Sequence, residues 1–194
     1  MMRCKNINIK KRYIILVIAV AWIIVCIIGY INANRRFPKP AEDYYETGEM
    51  MEYRGMQIKA EEITYENAYD IRKKYPGIEG VSDKKGMKWI VVKLDVRNIS
   101  DNKMIFNLDI VPYIQMTAYP IGYMNQGYAQ SVGYASDLIF MPEEEKEVIV
   151  YFAVNSNGLR RFNEKEFINS DFYLDMSIYP EHKAFVFHGI SQED

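Results

Sequence analysis

The sequence predicts an all-β chain: a β-sandwich outside the membrane, preceded by one N-terminal transmembrane helix. Three observations carry this expectation. An uncharged apolar run extends from Tyr13 to Ile31, several later segments alternate apolar and polar residues with period two, and turn-forming residues separate those segments. Sixteen tyrosines point the same way, because aromatic residues favour strands.

Residues 1–12 form a basic tail carrying Arg3, Lys5, Lys10, Lys11 and Arg12 and no acid, a formal +5, which leaves −7 on the rest of the chain. The run at 13–31 is long enough for a helix spanning roughly 28 Å at ~1.5 Å per residue. Tyr13 and Tyr30 stand near its two ends, where interfacial aromatics belong. The basic residues before Tyr13 outweigh Arg35 and Arg36, which are soon offset by Glu42, Asp43 and Glu46. The positive-inside rule therefore places the N-terminus in the cytoplasm and the remainder outside, at the cell membrane. An uncleaved anchor is expected over a signal peptide, because "INA" at 31–33 is a poor A-x-A site. The mildly acidic remainder argues against nucleic acid as a partner. Cys4 and Cys26, the only cysteines, fall before and within the run, so neither staples the domain downstream.

Residues 32–49 are polar and contain two prolines, and read as a spacer. The domain is expected from 50 to 194. "MEYRGMQIKAEEITYE" offers one or two strands broken near Glu61, and a helical turn is expected around Asn67–Lys74. In "MKWIVVKLDVRNIS", Ile90, Val92, Leu94 and Val96 share one face, while Trp89 and Val91 begin a second, covered face. "SDNK" turns the chain into "MIFNLDIV", with Met104, Phe106, Leu108 and Ile110 aligned, which predicts a hairpin. "EVIVYFAV" directs Val148, Val150, Phe152 and Val154 inward. "DFYLDMSIY" directs Phe172, Leu174, Met176 and Ile178 inward and Asp171, Asp175 and Ser177 outward. Leu159, Phe162 and Phe167 suggest a short amphipathic helix. "PEHK" then turns into a last strand, "AFVFHGI". Seven or so short strands separated by turns fit a sandwich.

The tract "GMKWIVVKLDVRNISDNK", with "MPEEEKEVIVYFAV" beyond it, resembles uncharacterised secreted or membrane-anchored Ig-like domains of Gram-positive bacteria, families designated as domains of unknown function. Asn98 and Ser100 fill their strand-ending "V-x-N-x-S" pattern, and Pro142, Val150, Phe152 and Val154 their "V-x-F-x-V" pattern. The resemblance covers much of residues 50–180. It implies an Ig-like fold and an outward location, and it supplies no catalytic residues. This chain departs from the pattern in having "PEEEK" where a "PGEK"-like turn is common.

No catalytic set is legible. The domain has no cysteine and two histidines: His182, expected to be solvated in a turn, and His188, expected to be half-buried beside Val186 and Ile190. The acidic run Glu143–Glu145 lacks the spacing and glycine bend of a calcium loop. Phosphate loops and nucleophile elbows are missing from the sequence, so a non-enzyme without metal or cofactor is expected. From Ile110 to Ser136 no residue is charged, and Tyr119, Tyr123, Tyr128 and Tyr134 recur there with glycines. Tyrosine combines apolar area with a hydroxyl at low entropic cost, so these four are the candidate contact surface. Ordinary loop and edge strand is the other reading of the same stretch. The expected function is a membrane-anchored binding module for an unknown protein or cell-envelope component. An accessory or immunity-type subunit of a membrane transporter is the second reading, and a hydrolase the third.

Overall fold

The computed structural model describes residues 4–78, 80–106, 114–119, 122–131, 138–155 and 163–191. The chain divides into two compact units, Met1–Pro40 and Ala41–Asp194.

The first unit is helix α1 (Cys4–Arg36), 33 residues long. Within it, Tyr13–Arg36 is long and apolar enough to cross a membrane, and its apolar stretch is not buried. The helix outruns Ile31 because nothing stops it before Pro38, the first residue that cannot continue a helix. Arg35 and Arg36 occupy its last turn, where cations complement the helix dipole.

The second unit opens with β1 (Ala41–Glu46), β2 (Met50–Tyr53) and β3 (Met56–Glu66). Arg54 and Gly55, both with positive φ, join β2 to β3, the two-residue turn that suits the twist of a hairpin. Helix α2 (Ala68–Lys74) comes next, capped by Asn67, whose side chain accepts from the backbone N–H groups of Tyr69 and Asp70. Then come β4 (Met87–Asn98), β5 (Met104–Ile105), β6 (Gln115–Tyr119), β7 (Tyr123–Gln126), β8 (Tyr128–Ser131) and β9 (Ile139–Phe140). The unit closes with β10 (Glu145–Asn155), α3 (Glu164–Ile168), β11 (Asp171–Ser177) and β12 (Glu181–His188).

These strands make the expected sandwich. One sheet, labelled A, runs β1-β12-β11-β6-β7, and the other, B, runs β2-β3-β4-β10-β8. Ile90, Val92, Leu94, Val96, Val148, Val150, Phe152 and Val154 face inward from sheet B and are all buried. Phe172, Leu174, Met176, Phe185 and Phe187 meet them from sheet A. A second buried cluster lies on the far side of sheet B, where Ile71 and Tyr75 cover Trp89, Val91, Ile149 and Tyr151. The second face expected at Trp89 and Val91 is this one.

Several local expectations change. Spacer residues 41–46 form β1, which pairs in parallel with β12 from Ala41↔Glu181 to Glu46↔Val186, so the compact unit begins before residue 50. The break expected near Glu61 is a register shift between Ala60 and Glu62 inside one continuous strand. The hairpin expected between β4 and β5 does not form. Both edges of β4 are taken by β3 and β10, and β5 pairs instead with β9. Asn98 redirects the chain there: its Nδ2 donates to the carbonyls of Asn102 (2.7 Å) and Phe140 (3.3 Å). Its Oδ1 accepts from the Ser100 N–H at 2.9 Å, so the "N-x-S" triplet is a turn built around a fully buried Asn98. Residues Asn107–Ile110 of the expected strand, and Leu159 and Phe162 of the expected helix, lie outside the described residues; Phe167 of α3 is buried.

Candidate functional site

The four candidate tyrosines separate. Tyr123 points into the core at 6 % exposure and donates its hydroxyl to the Ala153 carbonyl at 3.0 Å. Burial raises its pKa far above that of a free phenol, so it is a core residue and not a contact residue. Tyr128 is placed on edge strand β8 opposite Tyr151. Tyr134 lies outside the described residues. Tyr119 alone of the four is shown exposed, at 63 %.

The uncharged stretch is where the chain crosses between sheets. Strand β7 is the edge of sheet A and β8 the edge of sheet B, with Gly127 between them. A Cβ on Gly127 would stand 2.4 Å from Cε1 of Phe152, so the crossing requires glycine. The Gly127-Tyr128 repeat unit is therefore explained by packing.

Tyr119 belongs to an aromatic row on the outward face of sheet A. Period-two alternation sends Glu42, Tyr44 and Glu46 of β1 to this face while Tyr45 turns inward against Phe185. From β11 it receives Asp171, Tyr173 and Asp175, and from β12 His182 and His188. Tyr119 meets Tyr173 edge-on at 6.0 Å between centroids. Tyr173 meets Tyr44 at 5.7 Å, and Tyr44 meets His182 at 5.5 Å. The far side of Tyr119 borders an open cleft of about 510 Å³ with Lys165, Glu166 and Asn169 of the α3 segment.

Both histidines depart from expectation. His182 lies within β12, not in a solvated turn, and its Nε2 is 2.8 Å from Oδ1 of Asp175. A carboxylate only accepts, so the proton sits on Nε2 and Nδ1 is left facing the Tyr44 hydroxyl at 3.5 Å. Asp175 stands on the outward side as expected, yet it is only 5 % exposed. Burial raises its pKa, against the lowering effect of the His182 hydrogen bond. Ile178, expected inward, is 59 % exposed, because the ladder slips by one residue between Asp175 and Ser177. His188 is exposed, not half-buried, with Nδ1 2.8 Å from Asp171 and Nε2 3.5 Å from Glu46. The hydrogen bond to Asp171, then the Glu46 charge, raise its pKa.

Glu143 and Glu144 lie at the turn before β10, which Glu145 opens; Glu143 pairs with Arg97, and Glu144 accepts from the Met141 N–H at 2.7 Å. Among the described residues no group of three histidine, cysteine or acidic side chains has metal-holding geometry. Tyr44, Tyr173 and the Asp175–His182 pair were not foreseeable as a site from sequence spacing. The one available signal was the Glu42-x-Tyr44-x-Glu46 alternation inside the apparent spacer.

No protein-family model matches the chain, and no curated protein matches it. Solved structures do resemble it. An uncharacterised β-sandwich protein from Clostridium difficile 630 superposes with a TM-score of 0.53 at 13 % identity, covering 76 % of this chain and 95 % of that one. A functionally unknown protein from Listeria monocytogenes EGD-e gives 0.45 at 9 % identity, covering 74 % and 82 %. At 13 % identity the likeness to the Clostridium difficile protein is one of fold, and the fold it shows is the β-sandwich.

Proposed function

We propose that this chain is a membrane-anchored, outward-facing binding module of Ig-like type, with the basic tail in the cytoplasm and the outward face of sheet A as its contact surface. The observation that supports it best is the row Tyr119–Tyr173–Tyr44–His182, which holds rigid aromatic area while Tyr119 and Tyr44 stay 63 % and 43 % exposed. Rings fixed by one another lose little entropy on binding, and tyrosine serves apolar and hydrogen-bonding partners alike. The role is non-enzymatic: Asp175 and His182 act in holding Tyr44 and Tyr173 in place.

The test is cross-linking and recovery of partners from membranes with the intact protein and its Tyr44→Ser and Tyr119→Ser variants. Tyr69→Ser is the control, since Tyr69 is also exposed but stands on α2, against the other sheet. Loss of the same partners in both face variants, with the control unchanged, is the expected result. Equal recovery from all three variants would refute the assignment of the face. Protease added outside intact cells should digest the domain and spare the basic tail; the reverse pattern refutes the orientation.

A further inference from the structure

We infer that the partner segment recognised by the outward face of sheet A is a cationic polypeptide stretch, rich in lysine or arginine. The inference rests on the reading of that face as the contact surface, and it adds the chemistry of the occupant.

Charge carries the argument. Among the described residues, the outward positions of sheet A hold three carboxylates that reach the surface, Glu42, Glu46 and Asp171, a fourth, Asp175, that is buried, and no lysine or arginine. On the strands beside them, Lys183 turns inward to Asp43 at 2.6 Å; Lys165 lines the cleft beyond Tyr119. Sheet B differs, because its outward side pairs Lys59 with Glu61 and Lys93 with Glu147, leaving mixed charge there. The carboxylates of sheet A stand among three tyrosine rings, and a ring face attracts an ammonium or guanidinium group. Aromatic rings set among charge of one sign fit a partner of the opposite sign, which gains Coulomb attraction and cation–π contact together.

Geometry sets the size of the occupant. Tyr44 and Tyr119 stand three strand positions apart in the order β1-β12-β11-β6, roughly 14 Å at ~4.8 Å per strand. A single amine cannot reach both, whereas a polypeptide crossing the strands presents several cationic side chains to them.

His188 makes the face responsive to pH. His182 is faced by Asp175 of β11 and by Tyr44 of β1, and its register partner is Glu42. His188 is faced by Asp171 of β11 and Glu46 of β1. Protonation of the His188 ring, between Asp171 and Glu46, cancels negative charge on the surface, so affinity for a cationic segment falls as pH drops through the histidine range.

The experiment uses the full chain in neutral-lipid nanodiscs, with fluorescein-labelled decalysine and decaglutamate as probes read by anisotropy. Decalysine binds more tightly than decaglutamate, weakens with added salt, and weakens as pH falls from ~8 to ~6. Glu42→Gln with Glu46→Gln, two exposed positions on β1, lowers decalysine affinity about 5-fold, from the ordinary worth of two surface charge pairs. Glu143→Gln with Glu145→Gln removes the same charge at the β10 turn and leaves affinity unchanged. Equal binding of the two peptides, equal loss in both double variants, or self-association at the face seen by light scattering overturns the inference. If Tyr44→Ser and Tyr119→Ser still lose their membrane partners in that event, the contact face itself stands and only the chemistry of its occupant fails. Near-UV circular dichroism of each double variant matching the parent establishes that charge, not folding, is being read.

Discussion

Replacing Gly127 with alanine adds one methyl group at the crossing between the sheets, and its cost can be worked from distances. The new Cβ would lie 2.4 Å from Cε1, 2.6 Å from Cζ and 2.9 Å from Cδ1 of Phe152, all well inside van der Waals contact. The ring has little room to yield: Phe152 is fully buried on β10, the strand held by β4 on one side and β8 on the other. Either β10 shifts or the β7–β8 crossing lifts, and overpacking of this kind costs about 1–3 kcal/mol. For a domain of this size each kcal/mol lowers the melting temperature by ~2–4 °C, so a fall of about 2–12 °C is expected by calorimetry or near-UV circular dichroism. Trimming the ring should relieve the clash. Phe152→Leu alone destabilises, but the pair Gly127→Ala with Phe152→Leu should lose less than the sum, by ~1 kcal/mol or more. A Gly127→Ala variant that melts with the parent, or effects that simply add, would refute the claim that this contact dictates the glycine.

Asn98→Ala removes the side chain that serves the Asn102 and Phe140 carbonyls and the Ser100 N–H, and should cost about 1–3 kcal/mol in urea unfolding with an unchanged denaturant slope. Ile71→Ala opens the cluster under α2 and should cost about 2–4 kcal/mol, with Trp89 emission shifting to the red; an unshifted emission would show that α2 does not cover Trp89. His188 has a folded-state pKa raised by Asp171 and Glu46, so its stabilisation is fully present below its unfolded pKa and fades as pH rises through the folded one. Hydrogen exchange of the β1 amides should therefore be better protected, after correction for intrinsic rates, at about pH 5.5 than at about pH 8.5. His188→Gln should shrink that difference, and an unaltered pH profile in the variant would count against the contact with Glu46.

The sheets were legible in the sequence wherever one face met the core. Val148, Val150, Phe152 and Val154 alternate with nothing to interrupt them, and all four are buried as the pattern requires. The same reasoning failed at Ile178, which lies beyond the slip between Asp175 and Ser177 and is exposed, while Asp175 keeps its outward side and is nonetheless buried. It failed at β1 because "AEDYYE" has no apolar alternation: its inward positions are Asp43 and Tyr45, and the strand is held by its ladder to β12 and by the Asp43–Lys183 ion pair. The partner of β5 could not be read either, since local turn chemistry at Ser100–Lys103 is silent about which strand takes the edge of β4. The aromatic row was hidden for a related reason. Tyr44, Tyr119 and Tyr173 lie far apart in sequence and meet only because β1, β6 and β11 enter one sheet. The tyrosines that do cluster in sequence are sent to different environments, Tyr119 to the surface and Tyr123 to the core.

The parallel ladder between β1 and β12 joins residues 140 apart in the chain. During synthesis β1 emerges soon after the apolar helix, yet among the described strands its one neighbour in the sheet is β12, the last of them in chain order. Until β12 arrives, Tyr44 has no His182 beside it and no sheet to lie on. The row Tyr119–Tyr173–Tyr44–His182 is thus complete only once β12 has been made. If the proposed contact role of this face holds, a ribosome-held chain halted before Glu181 should not bind, and release of the remaining strand should switch the face on as a unit.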